Sequence, residues 1–352
     1  RPPATSGAAP ELMPRLDPEV MARYLAAERL LAEESPGPAT QARALEAIEL
    51  LKDALALRPD ESELWQALAH AHAGAGDYEA GAAAARQAVL LEPDDGATRY
   101  LLGELLQRLG HLAEAEQHLV VAAERGLPGG EPHLPHYYLF FVRKETGNPD
   151  GALAALERWW TVLPEESYPR VLAARLLQDL GRIPEARATA LAALRQAPAS
   201  EESLVVYLDS FRVDEGHAAR WLRADAMDLP MAAEGLESVL HTDWSQPRLH
   251  RALVDLYERI GRFDRAADHL RFVRILGNER VGPLDLRQID LLDRQHRHAE
   301  ARRLLDRALA RDGLQPAEQA ALLLLLATSH ERAGDIDAAL QVLADVPQES
   351  PV

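Results

Sequence analysis

Residues 62–95 read SELWQALAHAHAGAGDYEAGAAAARQAVLLEPDD, and this stretch decides the fold. In its first half apolar residues recur at helical spacing, at Leu64, Ala67, Leu68 and Ala71. Gly76 ends that helix, because a left-handed cap residue is cheapest without a Cβ. Asp77 is placed to accept from the free N–H groups that open the next helix. In the second helix Gly81, Ala85 and Ala88 lie on one face and are small enough for two helices to approach closely. Pro93 closes it. The spacing predicts a helical hairpin whose apolar face needs stacked copies to cover it.

The copies are present. Gly76 to Gly110 is 34 residues, Gly147 to Gly181 is 34 again, and Gly110 to Gly147 is 37, with Gly130, Glu131 and Pro132 at the longer junction. A small residue follows each corner after five positions: Gly81, Ala115, Ala152 and Ala186, then Ala266 and Ala339 after Gly261 and Gly334. His296 holds the corner of a weaker copy, with Ala301 in its small slot. Closing prolines repeat as well, Pro59 to Pro93 and Pro164 to Pro198, each 34 apart.

The order Trp65, Leu68-Ala69, His72, Gly76-Asp77-Tyr78, Gly81, Ala85, Ala88, Pro93 resembles the tetratricopeptide repeat, a helix–turn–helix unit of 34 residues. The resemblance covers residues 17 to 347. It implies an all-α fold, a right-handed α-solenoid of about nine helix–turn–helix units, whose first helices line a concave face that binds partners.

Composition agrees with a helical array. Apolar residues make up 47% of 352 but aromatic ones only 5%, as an Ala/Leu core requires. The net charge of −18 argues against nucleic acid, which needs concentrated Lys and Arg. Only Lys52 and Lys144 are lysines, an arginine bias read as the mark of a GC-rich bacterial genome. Without cysteine there is no disulfide, zinc–thiolate site or thiol catalysis. The longest apolar run, AALLLLLA at 320–327, is too short to span a bilayer.

Taken in order, residues 1–16 read as a flexible Pro/Ala-rich linker and 17–200 as a first array of about five units. Within the first unit, Asp17-Pro18 starts a helix, Ser35-Pro36-Gly37-Pro38 breaks it, and Ala42 to Leu57 forms its partner. Residues 201–246 depart from the period: VDEGHAARWL reads as an extra short helix and DLPMAAEGLESVLHTDW as a second helix. Residues 247–347 form a second array of about three units, its last beginning near Ala320, and 348–352 a tail. The linker-like start favours an exported protein of the bacterial periplasm or envelope, the cytoplasm being the alternative.

Carried onto this sequence, the resemblance places inward rows at i, i+4 and i+7 of each first helix. The expected partner-binding residues are Tyr100, Glu104, Tyr137, Phe141, Lys144, Tyr168, Val171 and Arg175. The rows of the second array, Arg251, Asp255, Glu258, Leu286, Asp290, Asp293, Leu324, Thr328 and Glu331, are mostly charged. Clustered aromatics on a helix face are either a patch meant to be covered or packing against a neighbouring helix. Trp159 occupies a slot that holds Ala88, Ala122, Ala193 and Ala308 elsewhere, which reads as a gap filled between widened helices or as a partner anchor.

No catalytic, cofactor or metal site is expected. His70 and His72 are two apart and point to different faces; His133 and His136 lack a third ligand. Gly74-Ala75-Gly76 follows a helix rather than a strand and is a corner, not a phosphate loop. Some relatives clamp an acidic chaperone tail with Lys and Asn. Here those positions carry His70, Glu104, Phe141 and Arg175, with no Asn. The expected function is a non-catalytic scaffold or adaptor for a protein or peptide, an assembly factor in an envelope complex. The alternatives are a permanent structural subunit or self-assembling array and, last, an enzyme with a cryptic site.

Overall fold

The computed structural model describes residues 17–32, 38–128, 130–211, 228–277, 283–311 and 313–346. The expected linker at 1–16, the tail at 348–352, the helix over VDEGHAARWL and the Ser35–Gly37 break lie outside the described residues. Among the described residues every regular element is an α-helix, and there are eighteen.

The chain divides into two compact units, Arg1–Leu176 and Leu177–Val352. Unit 1 holds α1 (Pro18–Ala32), α2 (Pro38–Leu57), α3 (Ser62–Ala75), α4 (Tyr78–Leu91), α5 (Gly96–Arg108), α6 (Leu112–Arg125), α7 (Leu134–Glu145) and α8 (Pro149–Val162). The division falls within α9 (Tyr168–Asp179). Unit 2 continues with α10 (Ile183–Gln196), α11 (Glu201–Asp209), α12 (Asp228–Leu240), α13 (Pro247–Ile260) and α14 (Phe263–Gly277). It ends with α15 (Pro283–Arg294), α16 (His298–Leu309), α17 (Pro316–Arg332) and α18 (Ile336–Ala344). Two helices begin earlier than the sequence suggests. Prolines Pro38 and Pro316 start α2 and α17, since proline at a first turn forfeits no helical hydrogen bond.

One corner recurs among the described residues. The glycine N–H donates to the carbonyl three residues back, and the next N–H to the carbonyl five back. Gly76 donates to Ala73 (3.1 Å) and Asp77 to His72 (3.0 Å); Gly147 to Lys144 and Asn148 to Arg143; Gly261 to Glu258 and Arg262 to Tyr257. This is a Schellman cap, which requires a left-handed residue. The corner glycines have φ between +72° and +83°, and His296, at φ +59°, makes the same two bonds through His296 and Arg297. Asp77, Asn148 and Asp335 then cap the following helices by accepting from Ala80, Gly151 and Ala338.

The small slots pack into the core. Ala115, Ala152, Ala186, Ala266 and Ala301 are fully buried. A Cβ on Gly103 of α5 would come within 2.6 Å of Leu119 Cγ on α6, so the α5–α6 contact needs glycine there. In unit 1 the core runs continuously from Val20 to Leu176 through Leu51, Leu64, Leu102, Leu119 and Leu156. In unit 2 a corresponding cluster joins Ile289, Leu292, Leu305, Leu322 and Leu326.

Candidate protein-interaction surface

In unit 1 the faces of α5, α7 and α9 carry rings in mutual contact. Tyr100 meets Tyr138 at 5.7 Å between centroids, Tyr138 meets Tyr137 at 5.2 Å, and Tyr137 meets both Phe141 (4.8 Å) and Trp159 (5.4 Å). Trp159 continues to Tyr168 at 5.9 Å, and its other neighbour, His133, stacks on it at 5.4 Å. All but the His133 stack are edge-on, the arrangement that the ring quadrupole favours. Trp159 is 3% exposed and its Nε1 donates to Glu166 (2.9 Å), so it fills the junction between hairpins.

Burial sorts the expected lining residues. Tyr168 is open, at 42%, and Tyr137 and Phe141 are half-buried. Tyr100 is largely enclosed, at 8%, and Val171, at 1%, is a core residue that offers nothing to a partner. Val171 sits at a register position that a first-helix row assigns to the open face. In α9 that position turns inward. Lys144 and Arg175 are exposed, and neither side chain pairs with a carboxylate among the described residues.

Glu104 is already occupied by its own chain. Arg108 donates to it at 2.9 Å, and the hydroxyls of Tyr100 and Tyr138 bond to it. Burial and this carboxylate raise both phenols, Tyr138 to about 12, so they stay protonated donors near neutrality. Burial lowers His70 despite Glu104 nearby. The other histidines flagged by the sequence serve structure: His72 lies 3.7 Å from Asp77, and His298 Nδ1 is 3.0 Å from the buried Asp293.

The first helices of unit 2 present a different surface. Arg287 of α15 reaches back to α13, where it holds Glu258 through two bonds (2.8 and 2.9 Å) and also Asp255. Arg332 of α17 reaches back to Asp290 of α15 at 3.0 Å, and Arg294 holds the same carboxylate at 2.7 Å. Asp293, 3% exposed, accepts from Ser329 at 2.7 Å. Three carboxylates that look available in the sequence, Asp255, Glu258 and Asp290, are held by arginines of the next repeat. Sequence reasoning also passes over His250 and His269, which are buried and adjacent. Their signal was positional, since the two are 19 apart across a corner, as Arg99 and His118 are.

Two stretches, residues 67–130 and 286–352, match the tetratricopeptide repeat family model. Those two stretches are tetratricopeptide repeats. No curated protein sequence matches it. Among solved structures it is similar to MamA 41-end from Desulfovibrio magneticus RS-1, at 14% identity over 53% of this chain and 98% of that one, with a TM-score of 0.44. It is similar to YrrB, described as a TPR protein with an unusual peptide-binding site, at 18% identity over 56% and 98% (TM-score 0.42). PilW, described as a widely conserved type IV pilus biogenesis factor, aligns at 16% identity over 75% and 96% (TM-score 0.41). Tetratricopeptide repeats are protein-interaction modules and generally non-catalytic. Among the described residues no helix is long and apolar enough to cross a membrane.

Proposed function

We propose that this tetratricopeptide scaffold holds a protein or peptide segment against the ring-bearing face of unit 1 and catalyses nothing itself. The supporting observation is a set of rings fixed by one another yet partly open, Tyr137, Phe141 and Tyr168. Lys144 and Arg175 on the same helices carry unspent charge. Rigid aromatic anchors beside unpaired cations contribute affinity at little entropic cost. The fitting partner presents an apolar or aromatic side chain next to a carboxylate. Assembly work in a bacterial envelope complex belongs to the same reading; the arginine-rich, cysteine-free composition is compatible with it.

A photo-reactive phenylalanine at position 168 is expected to crosslink the partner, and the same probe at Leu90, exposed on α4, is not. With the captured partner purified, Tyr168→Ala weakens binding by about 1–2 kcal/mol without loss of helicity. Equal crosslinking at both positions would overturn the assignment of this face.

A second reading, a permanent subunit or self-assembling array, draws on the C-terminal hairpin. Ile336, Leu340 and Leu343 form one row along α18 at 53%, 60% and 44% exposure, and Leu324 of α17 is 49% exposed. Light scattering of the purified chain at increasing concentration tests it: a monomer throughout removes the array.

A further inference from the structure

We propose that His250 of α13 and His269 of α14 form a buried pair that accommodates one proton and excludes a second, so that this hairpin loosens in mild acid. The rings are 0% and 5% exposed, and their Nδ1 atoms lie 2.9 Å apart. At that separation one nitrogen must donate and the other accept.

The repeat itself settles the far side of His250. Eleven residues before the corner, the same slot reaches back to the carbonyl six residues earlier. Trp65 Nε1 donates to Pro59 O at 2.8 Å and Arg99 Nε to Pro93 O at 2.5 Å, while His250 Nε2 lies 3.0 Å from Trp244 O. Indole and guanidinium nitrogens only donate, and a carbonyl only accepts, so His250 carries hydrogen on Nε2. Its Nδ1 is committed to the partner ring. On that ring, His269 Nε2 faces Glu237 Oε1 at 3.5 Å.

Three hydrogens on the four ring nitrogens satisfy every contact: one toward Trp244, one shared between the rings, one toward Glu237. A fourth sets two N–H groups head to head at 2.9 Å and places two cations in the interior, against which Glu237 is the one carboxylate facing the pair among the described residues. The charged and titratable groups facing the pair are Glu237 from α12, Tyr257 from α13 and Arg265 from α14. Glu237 is partly spent, accepting from Tyr257 at 2.5 Å and pairing with Arg265 at 3.1 Å. Arg265 itself disfavours added positive charge. In the loop before α13, Asp243 is engaged by Ser245 and Gln246. On α15, Arg287 is turned to Asp255 and Glu258, and Gln288 accepts from Arg274.

The sign follows by linkage. In the unfolded chain both imidazoles titrate near 6.5 and bind two protons in acid, whereas the folded pair binds at most one. Stability is therefore complete above about pH 6.5 and falls below it, by about tenfold in the unfolding equilibrium per pH unit for the excluded proton. Burial lowers both rings, in the same direction. Loss of the pair also uncovers the rings above it, since His250 stacks on Phe272 at 4.9 Å and lies 5.5 Å from Trp244.

Nitrogen-15 spectra of the histidine side chains in the unaltered chain at pH 5 and 7 test the proton count directly. The expected result at pH 5 is three N–H across the two folded rings, with protection against hydrogen exchange in α13 and α14, taken relative to the intrinsic rate, falling below pH 6.5. Two independent imidazolium rings in the folded chain would overturn the proposal. So would exchange in these helices that does not change with acid beyond the intrinsic rate. The variant His269→Gln, which leaves the other histidines in place, is expected to flatten the acid slope of the unfolding equilibrium by about tenfold per pH unit. An unchanged slope would also overturn it.

Discussion

The first-helix faces of unit 1 carry rings locked edge to face, whereas those of unit 2 carry carboxylates tied to arginines one repeat away. Both sit on the same Schellman corners and the same buried small slots. The corner and slot specify the hairpin, and the exposed face of each first helix is left free to vary. The ring contacts on the first-helix faces of unit 1 are ones that salt does not screen. In unit 2 the corresponding faces carry ion pairs, some half-exposed, that weaken as the Debye length shortens. In unit 1 the inter-repeat ion pairs lie on other surfaces, as with Arg86 of α4 and Glu114 of α6 at 3.1 Å.

The contrast breaks most sharply at Trp159. Trp159→Ala removes the ring on which His133, Tyr137 and Tyr168 converge. The expected loss is about 3–5 kcal/mol, the range for truncating a buried tryptophan. Hydrogen exchange should show it in α7, α8 and α9, unchanged between low and high salt. Protection that survives intact in those helices would mean that the rings contribute little to holding unit 1 together.

A smaller effect sharpens the other side. Arg287→Ala leaves Glu258 and Asp255 facing each other without their shared cation. The side chain is one-third exposed, so the expected cost is about 1 kcal/mol at low ionic strength, shrinking toward zero in 1 M salt. Denaturant titrations at both salt levels measure it. A loss that salt does not touch would show that Arg287 acts through its packed stem rather than its charge.

The fold was legible because its determinants are local. A glycine corner, a capping Asp or Asn and a small residue five positions on recur along the chain, and even His296 took up the left-handed corner as its place in the register required. The candidate surface was legible in residue type but only partly in exposure. Tyr137, Phe141 and Tyr168 keep open edges, while Val171 turned inward. Asp255, Glu258 and Asp290 of unit 2 read as open carboxylates, because Arg287 and Arg332, which hold them, come from the next repeat.

By itself, then, the sequence determined the repeat, its corners, the helical class and the residues gathered on each first helix, since all of these depend on neighbours within one turn or one hairpin. Only the tertiary structure decided which side chains remain available. Availability depends on what the adjacent helix places opposite: Leu119 against Gly103, Arg287 against Glu258, His269 against His250. Those meetings are set by how hairpins lean on one another, through side chains tens of residues apart, and no local pattern encodes that geometry.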